Sequence, residues 1–179
     1  MLLVPLHPGH AAEMAAVLAD PGLYRFTGGT PPTAGALRSR YERLAVGSPD
    51  PAVSWCNWTI GLREGGHLAG TVQATVTSAA ATGREPVAEV AWVVGTPWQG
   101  RGIATEAARG LVGWLAGRSV HRVVAHVHPE HAASAAVAHA LGLAPTPHRQ
   151  DGEIRWAGTP YGRHHPPGGA ADADRPAPS

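Results

Sequence analysis

The chain has 179 residues, with 14 basic against 13 acidic side chains and a net charge of +1. That length suits one domain with a proper core, and the near-neutral balance argues against a general nucleic-acid binder. All 14 basic residues are arginine, which, with so much Ala, Gly and Pro, reads as the mark of a GC-rich genome, with phosphate binding as the minor alternative. The single cysteine, Cys56, allows no internal disulfide and fits a reducing compartment, so the cytoplasm is the expected location. The opening "MLLVPLHPGH" lacks the basic stretch and long apolar run of a signal peptide, and no window approaches the length of a membrane span.

"LLVPL" (residues 2–6) is a short strand. "GHAAEMAAVLAD" (residues 9–20) is an Ala-rich helix stopped by Pro21-Gly22. A second helix follows Thr33, a credible N-cap, with Leu37, Tyr41 and Leu44 on one face. Residues 56–64 and 67–79 read as two strands around the turn Gly65-Gly66, and "AATGRE" (residues 80–85) as a loop. "VAEVAWVV" (residues 87–94) is a strand. The loop "GTPWQGRG" leads from it into a helix over residues 103–116, whose Ile103, Ala107, Leu111, Trp114 and Leu115 share a face. "RVVAHVH" (residues 122–128) is a strand, residues 131–142 a helix closed by glycine, and residues 152–158 a last strand. Residues 158–179 hold almost no large apolar side chains and cannot offset their ordering entropy, leaving a domain over residues 1–157 and a disordered tail. The elements predict a mixed α/β sheet with helices on both faces and a parallel strand-helix-strand crossover over residues 87–128.

The loop "QGRG" invites an anion. The first turn of a helix carries unpaired N–H groups and a partial positive charge, and glycines let a ligand approach the backbone closely. Arg101 can add a charge-assisted contact. Gln99, Gly100, Arg101, Gly102, Ile103, Ala104 and Thr105 therefore form a candidate diphosphate cradle, the alternative for a short Gly-x-Gly before a helix being a tight turn alone. A P-loop is excluded because it needs a lysine, and the dinucleotide fingerprint lacks both its third small residue and its acid about twenty residues on.

"QGRGIA" matches Gln/Arg-x-x-Gly-x-Gly/Ala, the acyl-CoA pyrophosphate motif of the GNAT N-acyltransferase superfamily. "AEVAWVVGTPWQGRGIATEA" resembles that family's central strand, loop and helix, and "HPEHAASAAVAHALGL" its following helix. Together these resemble the RimJ/RimL-like branch, which acetylates protein N-termini, and its small-molecule relatives. The resemblance implies the GNAT fold: a twisted mixed sheet of about six to seven strands whose two central parallel strands splay apart to admit acetyl-CoA. It implies that pantetheine pairs with the strand edge near Val93 and Val94, and that the N–H of Val94 or a neighbour donates to the thioester oxygen. The implied partners are acetyl-CoA and an amine acceptor, with no nucleic acid or membrane, in a monomer or homodimer.

Transfer requires a deprotonated amine, a stabilised carbonyl oxygen and a proton for the leaving thiolate. Glu89 is the candidate base: a carboxylate in a mostly apolar strand has to be explained, flanking apolar residues would raise its pKa, and the resemblance places a base here in several members. A structural Glu satisfied by arginine or backbone is the alternative. The family's tyrosine acid, four residues before the closing Gly142, is replaced by Ala138. Ser134 is the remaining acid candidate, or a small residue packing against CoA. His131 replaces the family's common Asn and could cap the helix or contact CoA. Glu106 suits the first helical turn and reads as structural. Arg25, Arg38, Arg40 and Arg43 could bind an acidic acceptor or line a solvated face. His126, His128 and His131 invite a metal, but a structural zinc site wants four ligands and no cysteine is near, so none is expected. An N-acetyltransferase is thus the leading reading, and a non-catalytic acyl-CoA sensor or scaffold its rival.

Overall fold

The computed structural model describes residues 1–160. β1 (Leu2–Pro5), β2 (Val53–Gly61), β3 (Leu68–Thr77), β4 (Val87–Val94), β5 (Arg122–Val127), β6 (Ala144–Gln150) and β7 (Glu153–Gly158) form one sheet in the order β1-β2-β3-β4-β5-β7-β6. Only β4 and β5 pair in parallel; the other neighbours are antiparallel. The helices are α1 (Ala11–Val17), α2 (Ala34–Val46), α3 (Ala79–Thr82), α4 (Ile103–Ala116) and α5 (Ala132–Ala140). This is the expected mixed sheet with helices on both faces.

Several elements differ from the sequence expectation, β2 among them, which begins and ends three residues before the expected 56–64. β6, "APTPHRQ", carries Pro145 and Pro147, which cannot donate to a ladder. It survives as an edge strand that pairs only with β7, with a register shift between Pro145 and Arg149. The loop expected over residues 80–85 contains the single turn α3, whose Ser78 hydroxyl accepts from the Ala81 N–H. The first helix is shorter than expected at both ends: Pro8–His10 winds as a 3-10 turn before α1 begins, and α1 closes at Val17 with Leu18 as its C-cap. Gly158 is the last residue of β7 and pairs with Val123. Residues 161–179, most of the expected tail, lie outside the described residues.

Strand alternation divides the sheet into two apolar faces. On one, Ala88, Val90 and Val94 of β4 and Val123, Ala125 and Val127 of β5 pack under Leu111 and Leu115 of α4 and Val137 of α5. On the other, Met14, Leu37 and Tyr41 of α1 and α2 cover Leu68 and Val93. Thr33 caps α2 as expected, its hydroxyl accepting from the Ala36 N–H at 3.2 Å. Glu13 ties α1 to the sheet by accepting from the Leu68 N–H at 2.7 Å. At Gly70 a side chain is impossible: a Cβ would stand 2.1 Å from the Val93 carbonyl oxygen. That closeness seats β3 against the far end of β4, where β4 has lost its other neighbour.

Candidate active site

β4 and β5 are in register only at Val87↔Arg122, Ala88↔Val123 and Glu89↔Val124. Beyond this point β4 runs on to Val94 and β5 to Val127, each still paired on its outer side, at Val94↔Gly70 and Val127↔Ile154. A wedge-shaped gap therefore opens between them, with its apex at Glu89. The polar groups that border it follow from ladder alternation. The Gly95 N–H donates to the Ala69 carbonyl at 2.8 Å, so Gly95 and Val93 present their backbone to β3. Trp92 and Val94 present theirs to the gap. Of the two residues expected to pair with pantetheine, Val94 faces the gap and Val93 does not; Trp92, which carried no such expectation, does.

The loop beyond β4 is shaped by its own backbone. A 3-10 turn, Thr96–Trp98, leads into Gly100 (φ 70°) and Gly102 (φ 75°), both left-handed and both with open space where a Cβ would stand. The Gln99 side chain donates from Nε2 to the Val94 carbonyl at 2.9 Å, so it braces the loop against the strand end. The first helical donor of α4 is the Glu106 N–H, onto the Gly102 carbonyl at 3.0 Å. Among the described residues, the N–H groups of Gly100, Arg101, Gly102, Ile103, Ala104 and Thr105 have no acceptor. Six donors at a helix start, with an exposed Arg101 and no side chain over the glycines, make a cradle for an anion. Ile103 contributes backbone only, since its side chain is buried in the core. Glu106 lies 3.2 Å from the Met1 amino group, the structural role expected of it.

At the apex, Glu89 Oε1 stands 3.1 Å from His126 Nδ1. The carboxylate is 58% exposed and the imidazole 13%. The apolar enclosure expected around Glu89 is therefore not what surrounds it: it opens into a cleft of about 270 Å3 with polar neighbours. Thr75 and Thr77 of β3 form one wall; Gln150 and Arg155 of the β6–β7 hairpin form the other. With Nδ1–H donating to Glu89, His126 keeps Nε2 as a second base. From the sequence, His126 stands out only as a metal-ligand candidate. Its pairing with Glu89 depends on the β4–β5 register, which the sequence does not print. Among the described residues, no three His, Cys, Asp or Glu side chains are grouped as metal ligands.

The α1–α2 connection reaches across to the other side of the gap. Phe26 stacks on His131 with ring centroids 4.5 Å apart and leans on His128 at 5.1 Å. Asp20 accepts from the Thr96 hydroxyl and ties this connection to the loop after β4; that bond, with a second from the Gly22 N–H, holds its carboxyl below the usual range. His131 is the N-cap of α5, its Nδ1 accepting from the Ser134 N–H at 3.4 Å. Burial keeps the His131 ring below the ordinary histidine pKa, assisted by His128 and opposed by Glu153. Ser134 is half-buried in the first turn of α5 and is not among the residues lining the Glu89 cleft. Ala138 is wholly buried. The arginines of the α1–α2 region do not line the cleft either: Arg38 pairs with Glu42 at 3.1 Å and Arg25 lies over the Phe26 ring.

Residues 1–144 match the family described as Acetyltransferase (GNAT) domain. No curated protein matches the sequence closely enough to count as a relative. Among solved structures, the fold is similar to the acetyltransferase (GNAT family) from Bacillus anthracis, at 17% identity over 89% of this chain and 94% of that one, with a TM-score of 0.68. It is similar to a protein from Vibrio cholerae described as a ribosomal-protein-serine acetyltransferase, at 16% identity over 88% and 92% of the two chains, TM-score 0.65. It is also similar to the microcin C7 self-immunity acetyltransferase, solved with acetyl-CoA and AMP, at 14% identity over 88% and 91%, TM-score 0.68.

Proposed function

Because the chain belongs to the GNAT acetyltransferase family, we propose that it is an N-acetyltransferase of the RimJ/RimL-like branch, moving an acetyl group from acetyl-CoA to a primary amine by direct attack on the thioester. The observation that carries this reading is the gap between β4 and β5, with free N–H groups at its mouth and a carboxylate–imidazole pair at its apex. Both ends of the co-substrate find chemistry that suits them. The pyrophosphate takes the donors from Gly100 to Thr105 and the charge of Arg101, and pantetheine takes the gap-facing backbone of Trp92 and Val94. The thioester is then drawn along the gap toward Glu89, and a gap-facing backbone N–H of β4 donates to its oxygen.

In this reading Glu89, with His126 behind it, removes a proton from the acceptor ammonium. The free amine attacks the carbonyl carbon, a C–N bond forms, the C–S bond breaks, and CoA leaves as a thiolate that takes up a proton. No covalent enzyme intermediate is needed, and most of the acceleration comes from holding two reactants in line. Ser134 supplies the proton to the thiolate if α5 approaches the sulfur. The branch assignment rests on the motifs around residues 89–142. A cytoplasmic location rests on the unpaired Cys56, whose thiol burial pushes up; no helix among the described residues is long and apolar enough to cross a membrane. Ala138, at the family's tyrosine position, favours the second reading: an acyl-CoA sensor without turnover.

One experiment separates the two. Purified protein is given acetyl-CoA and a panel of amines, and thiol release is followed. Turnover with any amine above the rate of thioester hydrolysis supports the enzyme. Acetyl-CoA stabilising the fold by mass action with no turnover supports the sensor.

A further inference from the structure

The cleft at Glu89 holds two unlike charges. Three strands carry them side by side on one face: Glu89 on β4, His126 on β5, and Arg155 on β7, where Arg155 is the register partner of His126. Glu89 has a partner in His126. Arg155 has none: among the described residues its guanidinium makes no ion pair and no side-chain hydrogen bond, although it is half-buried and lines the cleft. It is also held in place. The Thr146 hydroxyl donates to the Arg155 carbonyl at 2.8 Å, and β7 is paired on both sides, with β5 and β6. The other polar walls, Thr75, Thr77 and Gln150, are neutral hydrogen-bonding groups.

A half-buried guanidinium in a cleft wants a carboxylate or phosphate oxygen pair, which its planar fork can grip bidentately. We infer that the acceptor is a small amino carboxylate whose amine lies at Glu89 and whose carboxylate is bound by Arg155. This rests on the acetyltransferase reading above and narrows its acceptor. Charge balance supports it: Glu89 and Arg155 sum to zero, and a zwitterion leaves each of them paired. A polyamine would turn its extra charges toward Arg155, a like-charge contact that disfavours binding. The N-terminus of a protein would offer Arg155 only a peptide carbonyl. Size agrees as well, since about 270 Å3 falls just under the range of drug-sized ligand pockets, roughly 300–1,000 Å3. The spacing admits more than an α-amino acid. Glu89 and Arg155 are two strands apart, roughly 10 Å between backbones, and two long side chains close part of that span.

The test uses the full chain and matched pairs: α-, β- and γ-amino acids against their own carboxamides. Thiol release is read with acetyl-CoA saturating, and calorimetry on the acetyl-CoA-loaded protein reads binding without turnover. The expected result is that at least one amino acid exceeds its carboxamide by about 10- to 100-fold, the scale of one charge-assisted hydrogen bond. Arg155→Gln should erase that ratio through KM while leaving acetyl-CoA affinity unchanged, and Arg155→Lys, which keeps the charge without the fork, should retain part of it. If Arg155→Gln does not fold, the Lys variant carries the comparison. A best acceptor that is a polyamine or a peptide amide, or a carboxylate preference that Arg155→Gln leaves intact, overturns the inference. Failure of the enzyme reading looks different: no amine turns over, while calorimetry still reports whether Arg155 selects the carboxylate. Equal binding, or none, of each pair then overturns the inference.

Discussion

Glu89→Gln keeps the size and hydrogen bonding of the side chain but removes its capacity to take a proton. The structure lets the two effects of this change be separated in advance. As a stabilising contact the Glu89–His126 pair is minor, because the carboxylate is 58% exposed and solvent screens it; exposed pairs are worth at most about 1 kcal/mol. For a domain of this size such a loss lowers Tm by about 2–4 °C. As a proton acceptor at the apex of the gap it is worth more: loss of a positioned acid–base group lowers kcat by about 10²- to 10⁴-fold, or roughly 2.7–5.4 kcal/mol in the barrier. Steady-state thiol release across pH gives kcat, and calorimetry gives acetyl-CoA affinity, which should not move because the cradle lies beyond the far end of β4. Higher pH should partly rescue the variant by supplying free amine. His126→Gln should be impaired in the same direction, and the double variant should be little worse than the poorer single one, because groups that act as a unit are not additive. Full kcat with a lowered Tm would refute the reasoning and make Glu89 a structural carboxylate.

Gly102→Asp should abolish measurable acetyl-CoA binding, since the new carboxylate stands among the pyrophosphate donors, and should cost about 1 kcal/mol in stability because φ is 75° there; unchanged affinity in calorimetry would take the phosphate role from this loop. Gln99→Ala frees the Val94 carbonyl and unbraces the loop, and should weaken acetyl-CoA by up to about 10-fold, the scale of one neutral hydrogen bond, with Tm nearly unchanged. Gly70→Ala should cost about 1–3 kcal/mol or more by overpacking, because the Cβ meets a backbone carbonyl at 2.1 Å that cannot turn away; urea unfolding measures it. His131 carries a pH signature. Its folded pKa lies below the ordinary 6.5, so the unfolded chain binds the proton more readily. Its share of stability is intact above 6.5 and is lost as pH falls from there toward the folded value. His131→Asn keeps a cap for α5 without titrating, so thermal unfolding between pH 7 and 5 should show a shallower loss in the variant; the remaining slope includes His10, shifted the same way by burial and by His7.

Elements whose signals are local are legible without the fold. β4 and α4 appear over the residues expected, because an unbroken apolar run and a heptad-like stripe between glycines leave little choice of period. The loop from Gln99 to Gly102 was legible for the same reason: positive φ at Gly100 and Gly102 is a property of glycine itself. β6 was not, since two prolines in seven residues argue against a strand, and only its pairing with β7 overrides them. The site divides along the same line. Glu89 could be singled out because a carboxylate in an apolar strand stands out in one dimension. That Gln99 turns back to Val94, that Trp92 rather than Val93 faces the gap, and that His126 and Arg155 stand beside Glu89 were decided only by the tertiary structure. Each depends on which strands neighbour one another and in what register. Residues 89, 126 and 155 meet because β7 inserts between β5 and β6, and no local periodicity carries that order.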